Sequence, residues 1–481
     1  MPHPSARRDS ARSNAAGPTA PAVALELGER FASAGHDLAL VGGSVRDLIL
    51  RRPITDLDFT TDARPEQTER VLHGWADAVW DVGRAFGTIG ARRGDEILEI
   101  TTYRSEAYDR TSRKPDVVYG DTLADDLVRR DFTVNAMALA LPSAEFIDPY
   151  GGLSDLASRR LRTPGTPEQS FSDDPLRMMR AARFAAQLGF EVAPEVVTAM
   201  REMAQRLSIV SAERVRDELT KLLLSDGPRV GLTLLVETGL ADVVLPELPA
   251  LRLEVDEHHR HKDVYEHTLI VLEQAIALED DDVPGPDLVL RLAALLHDIG
   301  KPATRRFTPG GGVSFHHHEM VGAKLTAKRL KALRYDKDTV KAVSRLVELH
   351  LRFHGYSDGV WTDSAVRRYI TDAGPLLTRL HRLTRSDCTT RNLRKAQRLS
   401  RSYDELERRI DELAAAEELA KVRPDLDGEQ IMAALGVPPG PVVGRAYRYL
   451  LELRMERGPL GEDVARSELD RWWAEQPESS G

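Results

Sequence analysis

The stretch from Val41 to Phe59, VGGSVRDLILRRPITDLDF, constrains the fold more than any other part of the chain. It predicts a strand, a glycine turn, the start of a helix, a loop and a second strand. Alternate side chains of a strand point to the same face, so Asp56 and Asp58 project together while Leu57 and Phe59 point into the core. Two carboxylates on one face repel each other unless a cation lies between them. The pattern therefore predicts a Mg²⁺ site that uses few protein ligands together with phosphate oxygens.

The glycine turn before the helix predicts a site for the phosphates themselves. Gly42 and Gly43 let the backbone approach a ligand closely, and the helix start offers free N–H groups to an anion. Arg46 lies at the start of this helix and can add a two-pronged contact to a phosphate. A glycine pair alone is typical of an ordinary turn, and an isolated DxD is typical of a solvated strand end. Their combination in this order is far more specific.

This stretch resembles the signature of the nucleotidyltransferase superfamily, in the form used by class II tRNA CCA-adding enzymes and bacterial poly(A) polymerases. It departs from that signature at Arg51-Arg52-Pro53, where the family usually has a glycine. The resemblance implies an α+β fold, with a nucleotidyltransferase-type mixed sheet head followed by all-helical neck, HD and tail domains. Further family motifs follow in the expected order at 129–137 (RRDFTVNAM), 146–156 (FIDPYGGLSDL), 173–177 (DDPLR) and 426–444 (LDGEQIMAALGVPPGPVVG).

The RRDFTVNAM segment is predicted to open a helix, with arginine and aspartate near its start and Asn135 one turn later. Its resemblance to the family's RRDFTxNAMA motif implies that Arg129 or Arg130 contacts a triphosphate. Asn135 would then order the loop that carries the arginine. A capped core helix with surface arginines is the alternative.

The segment 172–190, SDDPLRMMRAARFAAQLGF, predicts a helix that begins at Asp174-Pro175. Arg177, Arg180 and Arg183 follow at a spacing that places them on one broad face with Asp174. A carboxylate and a guanidinium together match the hydrogen-bonding edge of cytosine or adenine, whose amino group donates to the carboxylate. The resemblance to the family's EDxxR motif implies that Asp174 and Arg177 select the incoming base, supported by Arg180 and Arg183. The alternative is an ordinary helix cap with solvated arginines.

A second candidate site follows, in which histidine and aspartate recur on or beside apolar helical segments. The residues are His267, His297, Asp298 and Asp387. Imidazole and carboxylate converging in a helical bundle suit a divalent metal of unspecified identity. The order resembles the HD phosphohydrolase domain, which implies that the metal activates a water to attack a phosphoester. His318 and His350 match the positions at which some members bind a second metal. A degenerate HD bundle retained as a scaffold is the alternative.

Composition sets the remaining limits. A single cysteine, Cys388, argues against a disulfide framework and fits a reducing cytoplasm, and no apolar run is long enough for a membrane span. The formal net charge of −10 argues mildly against a general nucleic-acid binder but leaves room for a local basic surface such as 379–401. No membrane association and no stable protein partner are predicted. The predicted parts are a disordered leader (1–24), the catalytic head (25–160), a helical neck with the base-reading helix (161–250), an HD domain (251–400) and a helical tRNA-binding tail (401–481).

The resemblance implies an enzyme that adds CMP and AMP from CTP and ATP to the 3′ end of tRNA, without a nucleic-acid template. Asp56 and Asp58 would hold two Mg²⁺ ions, one activating the 3′-hydroxyl and the other stabilising the leaving pyrophosphate. Gly43, Arg46 and one of Arg129 or Arg130 would hold the triphosphate.

Glu99, on a neighbouring predicted strand, is a candidate third carboxylate, with an ordinary surface position as the alternative. The charged segment 104–119 is predicted to be a mobile loop, which in this family favours addition of the full CCA over CC alone. Two other functions remain open. One is a poly(A) polymerase, although enzymes of that branch tend to lack an HD domain. The other is an HD phosphohydrolase that acts on terminal 2′,3′-cyclic phosphates or 2′-nucleotides, with the head as an RNA-binding module.

Overall fold

A computed structural model describes residues 19–54, 56–83, 87–103, 120, 122–253, 263–280, 283–307, 313–353, 362–389, 392–417, 423–476 and 478. The predicted loop at 104–119 lies outside the described residues. The chain divides into two compact units, Met1–Val244 and Leu245–Gly481, and the finer division into head, neck, HD domain and tail stays a prediction. Within the described ranges, no helix has the length and apolar character needed to cross a membrane.

The first unit is built on a seven-stranded mixed sheet with the order β3-β4-β5-β2-β1-β6-β7. The strands are β1 (Leu38–Val41), β2 (Asp56–Thr61), β3 (Ala78–Gly83), β4 (Thr88–Arg93), β5 (Glu96–Thr102), β6 (Ala138–Leu141) and β7 (Glu145–Ile147). Strands β2 and β5 run parallel, whereas the other neighbouring strands are antiparallel. The mixed-sheet prediction is confirmed.

The predicted strand–turn–helix–strand core is present at the centre of this sheet. All four residues of β1 are buried, which fits its apolar sequence and its position between β2 and β6. Helix α2 (Gly43–Ile49) follows it after Gly42, whose φ of 71° lies in the left-handed region that favours glycine. In β2 the burial alternates as predicted, because Leu57 and Phe59 are buried and Asp56 is exposed.

The register of the sheet aligns four residues in one row across its open side. Asp58 in β2 lies opposite Glu99 in β5, Glu99 lies opposite Gly90 in β4, and Gly90 lies opposite Trp80 in β3. Residues paired directly across neighbouring strands point to the same face, so the row shares the carboxylate face of the sheet.

Helix α3 (Pro65–Leu72) ends before Gly74, and Ala78 begins the edge strand β3. Two local predictions were wrong. RRDFTVNAM does not open a helix, because α4 (Leu123–Val128) ends before it and a short 3-10 turn leads into β6.

The predicted leader is also too long at its C-terminal end. Helix α1 (Ala22–Ser33) begins inside it, since Ala24, Leu27 and Phe31 recur at helical spacing and are buried. The rest of the predicted leader, 1–18, lies outside the described residues.

The remainder of the first unit is mostly helical. Its helices are α5 (Gly152–Ala157), α6 (Pro167–Asp173), α7 (Leu176–Leu188), α8 (Pro194–Met203), α9 (Ala212–Leu223), α10 (Pro228–Glu237) and α11 (Leu240–Val244). A two-stranded ribbon of β8 (Arg160–Leu161) and β9 (Glu191–Val192) interrupts them. Helices α7 and α10 pack closely at Gly231, where a Cβ would lie 2.5 Å from the Ala182 carbonyl oxygen.

In its described residues, the second unit is helical apart from a ribbon of β10 (Arg306–Phe307) and β11 (Val313–Ser314). Its helices are α12 (Val264–Ala277), α13 (Leu288–Leu296), α14 (Lys301–Thr304), α15 (His318–Ala332), α16 (Lys337–Leu349), α17 (Asp363–Ala373), α18 (Leu377–Ser386), α19 (Leu393–Glu417), α20 (Gly428–Leu435), α21 (Pro441–Arg457) and α22 (Glu462–Ala474). Gly300 permits a close approach to α15, because a Cβ there would lie 2.1 Å from the His318 carbonyl oxygen.

Candidate active site

A cavity of about 400 Å³ lies in the first unit at the carboxylate end of the row. Residues from the sheet, from the segment after α4 and from helices α7 and α9 line it together. The lining residues are Val41, Asp58, Phe59, Glu99, Thr101, Asp126, Arg129, Arg130, Asp174, Arg177 and Arg214. Predicted metal-binding, triphosphate-binding and base-reading residues therefore meet in one space.

The carboxylates of this cavity are arranged to bind a cation. The Ser44 hydroxyl donates to the Asp56 carbonyl oxygen (3.0 Å) and accepts from the Asp58 backbone N–H (2.9 Å), which fixes the start of β2 against α2. Burial raises the pKa of Asp58 to about 6, the Arg130 guanidinium opposes that rise, and Glu99 and Asp56 add to it. A divalent cation among these three carboxylates would stabilise their ionised forms, so the residues present fit the implied Mg²⁺.

Arg130 lies directly over the glycine turn. A Cβ on Gly42 would lie 2.8 Å from Arg130 Nη1 and 3.6 Å from Asp58 Oδ2, so a larger side chain would displace the guanidinium and would also be disfavoured by the left-handed backbone. Arg130 Nη2 lies 3.0 Å from Asp126 Oδ2, and this ion pair holds the guanidinium in place. This places a guanidinium beside the carboxylates, where a triphosphate bound at the turn would lie.

Arg46 makes a different set of contacts from the predicted phosphate contact. It is buried, and it donates to Asp47 through Nε (2.9 Å) and Nη2 (2.7 Å) and to Asn135 Oδ1 through Nη1 (2.7 Å). In this structure Arg46 joins α2 to the RRDFTVN segment. Its contact with phosphate stays a prediction, as does that of Gly43.

A buried ion-pair network connects the RRDFTVN segment to helix α7. Asp131 accepts from Arg180 Nε (2.7 Å), from Asn135 Nδ2 (2.9 Å) and from the Phe132 backbone N–H (2.8 Å). Burial opposes ionisation of Asp131, but the charge of Arg180 and these hydrogen bonds outweigh it and hold its pKa well below the usual range. Arg183 donates to Glu218 Oε2 (2.6 Å), so both arginines support the site from behind.

The predicted base-reading pair, Asp174 and Arg177, lies at the start of α7. Asp174 Oδ1 accepts from the Leu176 backbone N–H (3.1 Å), while its Oδ2 accepts from Arg214 Nη2 (2.7 Å). Arg177 is held by the Ser170 hydroxyl (3.0 Å) and by the backbone carbonyl of Arg129. Asp174 therefore caps the helix and also points a carboxylate oxygen towards the cavity.

Arg214, in the segment SAER at 211–214, was not among the site residues predicted from the sequence. It lines the cavity and binds Asp174. Its position in the SAER capping segment gave only a helix-start signal. The pairing between α7 and α9 depends on how the helices pack.

The second unit contains a separate cluster of histidines and carboxylates. Two groups of three have ligand atoms within 4.8 Å of one another, namely His267, His297 and Asp387, and Asp298, His318 and His350. The predicted set of four is therefore brought together, but Asp298 groups with His318 and His350. Asp298 also links the two groups, since its oxygens lie 3.1 Å from His297 Nε2 and 3.3 Å from His318 Nε2.

Each buried histidine of this cluster is oriented by a backbone carbonyl. The Nδ1 atoms lie 2.8 Å from the Ala294 oxygen for His297, 2.8 Å from the Phe315 oxygen for His318 and 2.6 Å from the Val347 oxygen for His350. Their Nε2 atoms are buried without a well-formed hydrogen bond. An orphaned buried nitrogen beside a carboxylate fits a metal ligand, and a hydrogen bond at the other ring nitrogen is the usual support.

The charges of this cluster are strongly coupled. Burial opposes protonation of His297, but Asp298 and Asp387 outweigh it and raise its pKa to about 9. Burial together with the charges of His297 and His318 lowers the pKa of His350 to about 3.

Three family models match the chain at these two sites. They describe a poly A polymerase head domain (residues 38–162), a probable RNA and SrmB-binding site of polymerase A (189–251) and an HD domain (264–415). The A-adding tRNA nucleotidyltransferase of Deinococcus radiodurans is 36% identical over 92% of this chain and 96% of its own length. The chain belongs to the tRNA nucleotidyltransferase family.

Other members of the family show the same extent of similarity. The CC-adding tRNA nucleotidyltransferase of Thermus thermophilus is 34% identical over 90% of this chain and 93% of its own. A solved structure of the Bacillus stearothermophilus CCA-adding enzyme with CTP superposes with a TM-score of 0.64 at 25% identity, covering 93% of this chain and 96% of that one. The resemblance stated from the motifs, and the fold it implied, are confirmed.

Proposed function

We propose that this tRNA nucleotidyltransferase adds CMP and AMP, from CTP and ATP, to the 3′ end of tRNA without a nucleic-acid template. The observation that carries the proposal is the single cavity that joins Asp58 and Glu99 to Asp174 and Arg177. Mg²⁺ ions held by Asp56 and Asp58, with Glu99 as third carboxylate, would neutralise the triphosphate and activate the attacking 3′-hydroxyl. We further propose a cytoplasmic location and no stable protein partner.

The chain's own residues hold and select the nucleotide. Gly42 leaves room for the Arg130 guanidinium, which Asp126 positions and which would contact a phosphate bound at the turn. The Asp174 carboxylate accepts from the amino group of cytosine or adenine, whereas the keto oxygens of uracil and guanine would meet like charge. Arg177 is fixed by Ser170 and by the Arg129 carbonyl, so it donates to the base from a defined position.

The relatives differ in which nucleotides their names say they add, so an experiment decides between addition of A, of CC and of the full CCA. The two relatives described above are called A-adding and CC-adding, whereas those from Streptococcus gordonii and Bacillus subtilis are called CCA-adding. The last two match 49% and 45% of this chain. An amino-group reader serves cytosine and adenine equally, which supports the full CCA product.

The proposal is tested on three tRNAs that end before the first C, before the second C and before the A. With CTP and ATP together, we expect each to be extended to CCA and no further. Products analysed on a sequencing gel distinguish the outcomes. Extension that stops at CC, or that occurs only on the tRNA ending in CC, would overturn the full-CCA assignment, and a long A tract would indicate a poly(A) polymerase.

A second activity is favoured by the histidine cluster of the second unit. We propose that His267, His297, Asp298, His318, His350 and Asp387 hold divalent metal. Such a site hydrolyses terminal 2′,3′-cyclic phosphates or 2′-nucleotides. Three orphaned Nε2 atoms and a carboxylate shared by two groups support this over a scaffold role.

His297→Ala is expected to remove metal-dependent phosphate release and to lower the bound metal measured by elemental analysis, while CMP incorporation is retained. His316→Ala is the matched control, because His316 is an exposed histidine outside both groups. Phosphate release that persists in His297→Ala would show that the cluster is not its source.

A further inference from the structure

We infer that the open face of the sheet beside the carboxylates, formed by Trp80, Arg92 and Ile97, binds the single-stranded 3′ end of the RNA substrate. We call this surface the edge face. The inference rests on the proposed function, because it concerns the polymer that must present its 3′-hydroxyl at Asp58.

The edge face continues the row that begins at the carboxylates. Asp58, Glu99, Gly90 and Trp80 lie side by side on four neighbouring strands, so Trp80 lies about 14 Å from Asp58, or three strand spacings. Ile97 lies opposite Asp56 on one side and opposite Arg92 on the other. All three edge-face residues therefore point to the same side of the sheet as Asp56 and Asp58.

The three side chains are open to a partner. Trp80 is 39% exposed and Ile97 is 40% exposed, so both apolar side chains are accessible on this face. Arg92 is exposed and, within the described ranges, makes no ion pair or side-chain hydrogen bond. Its neighbour Arg93, in contrast, donates to the Trp75 carbonyl oxygen at 2.6 Å and lies near Glu26 and Asp77.

Their position separates them from the incoming nucleotide. The cavity reaches Asp58, Glu99 and Thr101 on the side of the base-reading residues, and its lining includes none of the edge-face residues. If the nucleotide fills the cavity, the RNA must approach the carboxylates from another side. The edge face lies on the same side of the sheet as those carboxylates. It extends from them in the direction that leads away from the cavity.

Its chemistry matches single-stranded RNA. Aromatic side chains stack with unpaired bases regardless of sequence, and an unpaired arginine neutralises a phosphate. Trp80 and Arg92 are diagonal neighbours across β3 and β4, because Trp80 lies opposite Gly90 and Arg92 lies opposite Ala78. Gly90 has no side chain to stand between the tryptophan and the carboxylates. A base and a neighbouring phosphate can thus be held by adjacent groups.

The test measures RNA binding and nucleotide use separately. Fluorescence anisotropy with a labelled tRNA that ends before CCA gives Kd, and initial rates give KM for the same tRNA and for CTP. Trp80→Ala is expected to raise Kd and KM for tRNA about tenfold, while KM for CTP stays within about twofold. Trp80→Phe should keep most of the affinity. Arg92→Gln should raise Kd for tRNA and should reduce the slope of log Kd against log salt concentration by about one.

Two control variants match these changes. Val79→Ala truncates an equally exposed apolar residue of the same strand on the opposite face, and Arg70→Gln removes an exposed charge from α3. If Trp80→Ala, Trp80→Phe and Arg92→Gln all bind tRNA as wild type does, the inference is overturned, and Trp80 serves only to cover Gly90. Because binding is measured without catalysis, weakened binding supports the edge face even if the wild type adds no nucleotide.

Discussion

Asp58→Ala is expected to lower the rate of nucleotide incorporation by at least about a thousandfold, or about 4 kcal/mol of transition-state stabilisation. Asp58 is the carboxylate at the end of the row, and it lines the cavity. It is half-buried beside Arg130 and has Glu99 opposite it on the parallel strand β5. Without it, the charge that must hold the cation between the triphosphate and the 3′-hydroxyl is missing. Single-turnover incorporation of labelled CMP measures the loss.

The fold and RNA binding should survive this change. Removing a desolvated carboxylate that lies beside two others relieves repulsion, so the melting temperature should not fall, and tRNA binding should be unchanged. Asp58→Asn, which keeps the shape, should be as inactive as Asp58→Ala. Glu96→Ala, which removes an exposed carboxylate from the other face of β5, is the control and should remain active. Normal CMP and AMP addition by Asp58→Ala would contradict the metal assignment.

Asp131→Asn is expected to destabilise the protein by about 3–5 kcal/mol and to reduce incorporation. Asp131 is buried, and its carboxylate is the partner of Arg180 and Asn135. An amide in its place leaves the guanidinium of Arg180 without its main counter-charge. Because the network connects the RRDFTVN segment to helix α7, the residues that line the cavity should also lose their alignment. Urea unfolding and CMP incorporation measure the two effects.

The pH dependence provides an independent check on Asp131. Its pKa is depressed in the folded state, so its ionisation stabilises the protein above the unfolded value of about 4, and this contribution is lost as the pH falls towards the folded value. Asp131→Asn should therefore show a weaker loss of stability on acidification than wild type. Asp173→Asn is the control, since Asp173 is half-buried and binds only Gln169 among the described hydrogen bonds. If acidification lowers the free energy of unfolding by the same amount in Asp131→Asn and in Asp173→Asn, that result would argue against the network.

The sequence was most informative where the signal is local. The alternation of Leu57 and Phe59 with Asp56 and Asp58, and the glycine pair before α2, predicted a strand and turn that the structure confirms. These patterns depend on side-chain direction within a few residues. The same holds for the start of α7 after Asp174-Pro175.

The sequence was less informative where the partner of a side chain is distant in the chain. Asp174 pairs with Arg214 and Arg46 with Asn135, and neither pairing can be deduced from spacing because each depends on how separate elements pack. The edge strand that carries Trp80 was missed for a related reason, since a short strand is recognised mainly by its pairing with β4. In the histidine cluster the structure brings the predicted residues together, but their division into two groups follows from helix packing.

Three backbone carbonyls orient His297, His318 and His350, and they limit how this cluster can change over evolution. Each carbonyl belongs to the residue three positions earlier, and each therefore fixes which ring nitrogen carries the hydrogen. A substitution can delete a histidine, but no side-chain substitution can remove the peptide oxygen that sets its tautomer. The cluster can therefore lose ligands one at a time, while every histidine that remains keeps the same nitrogen available for a metal.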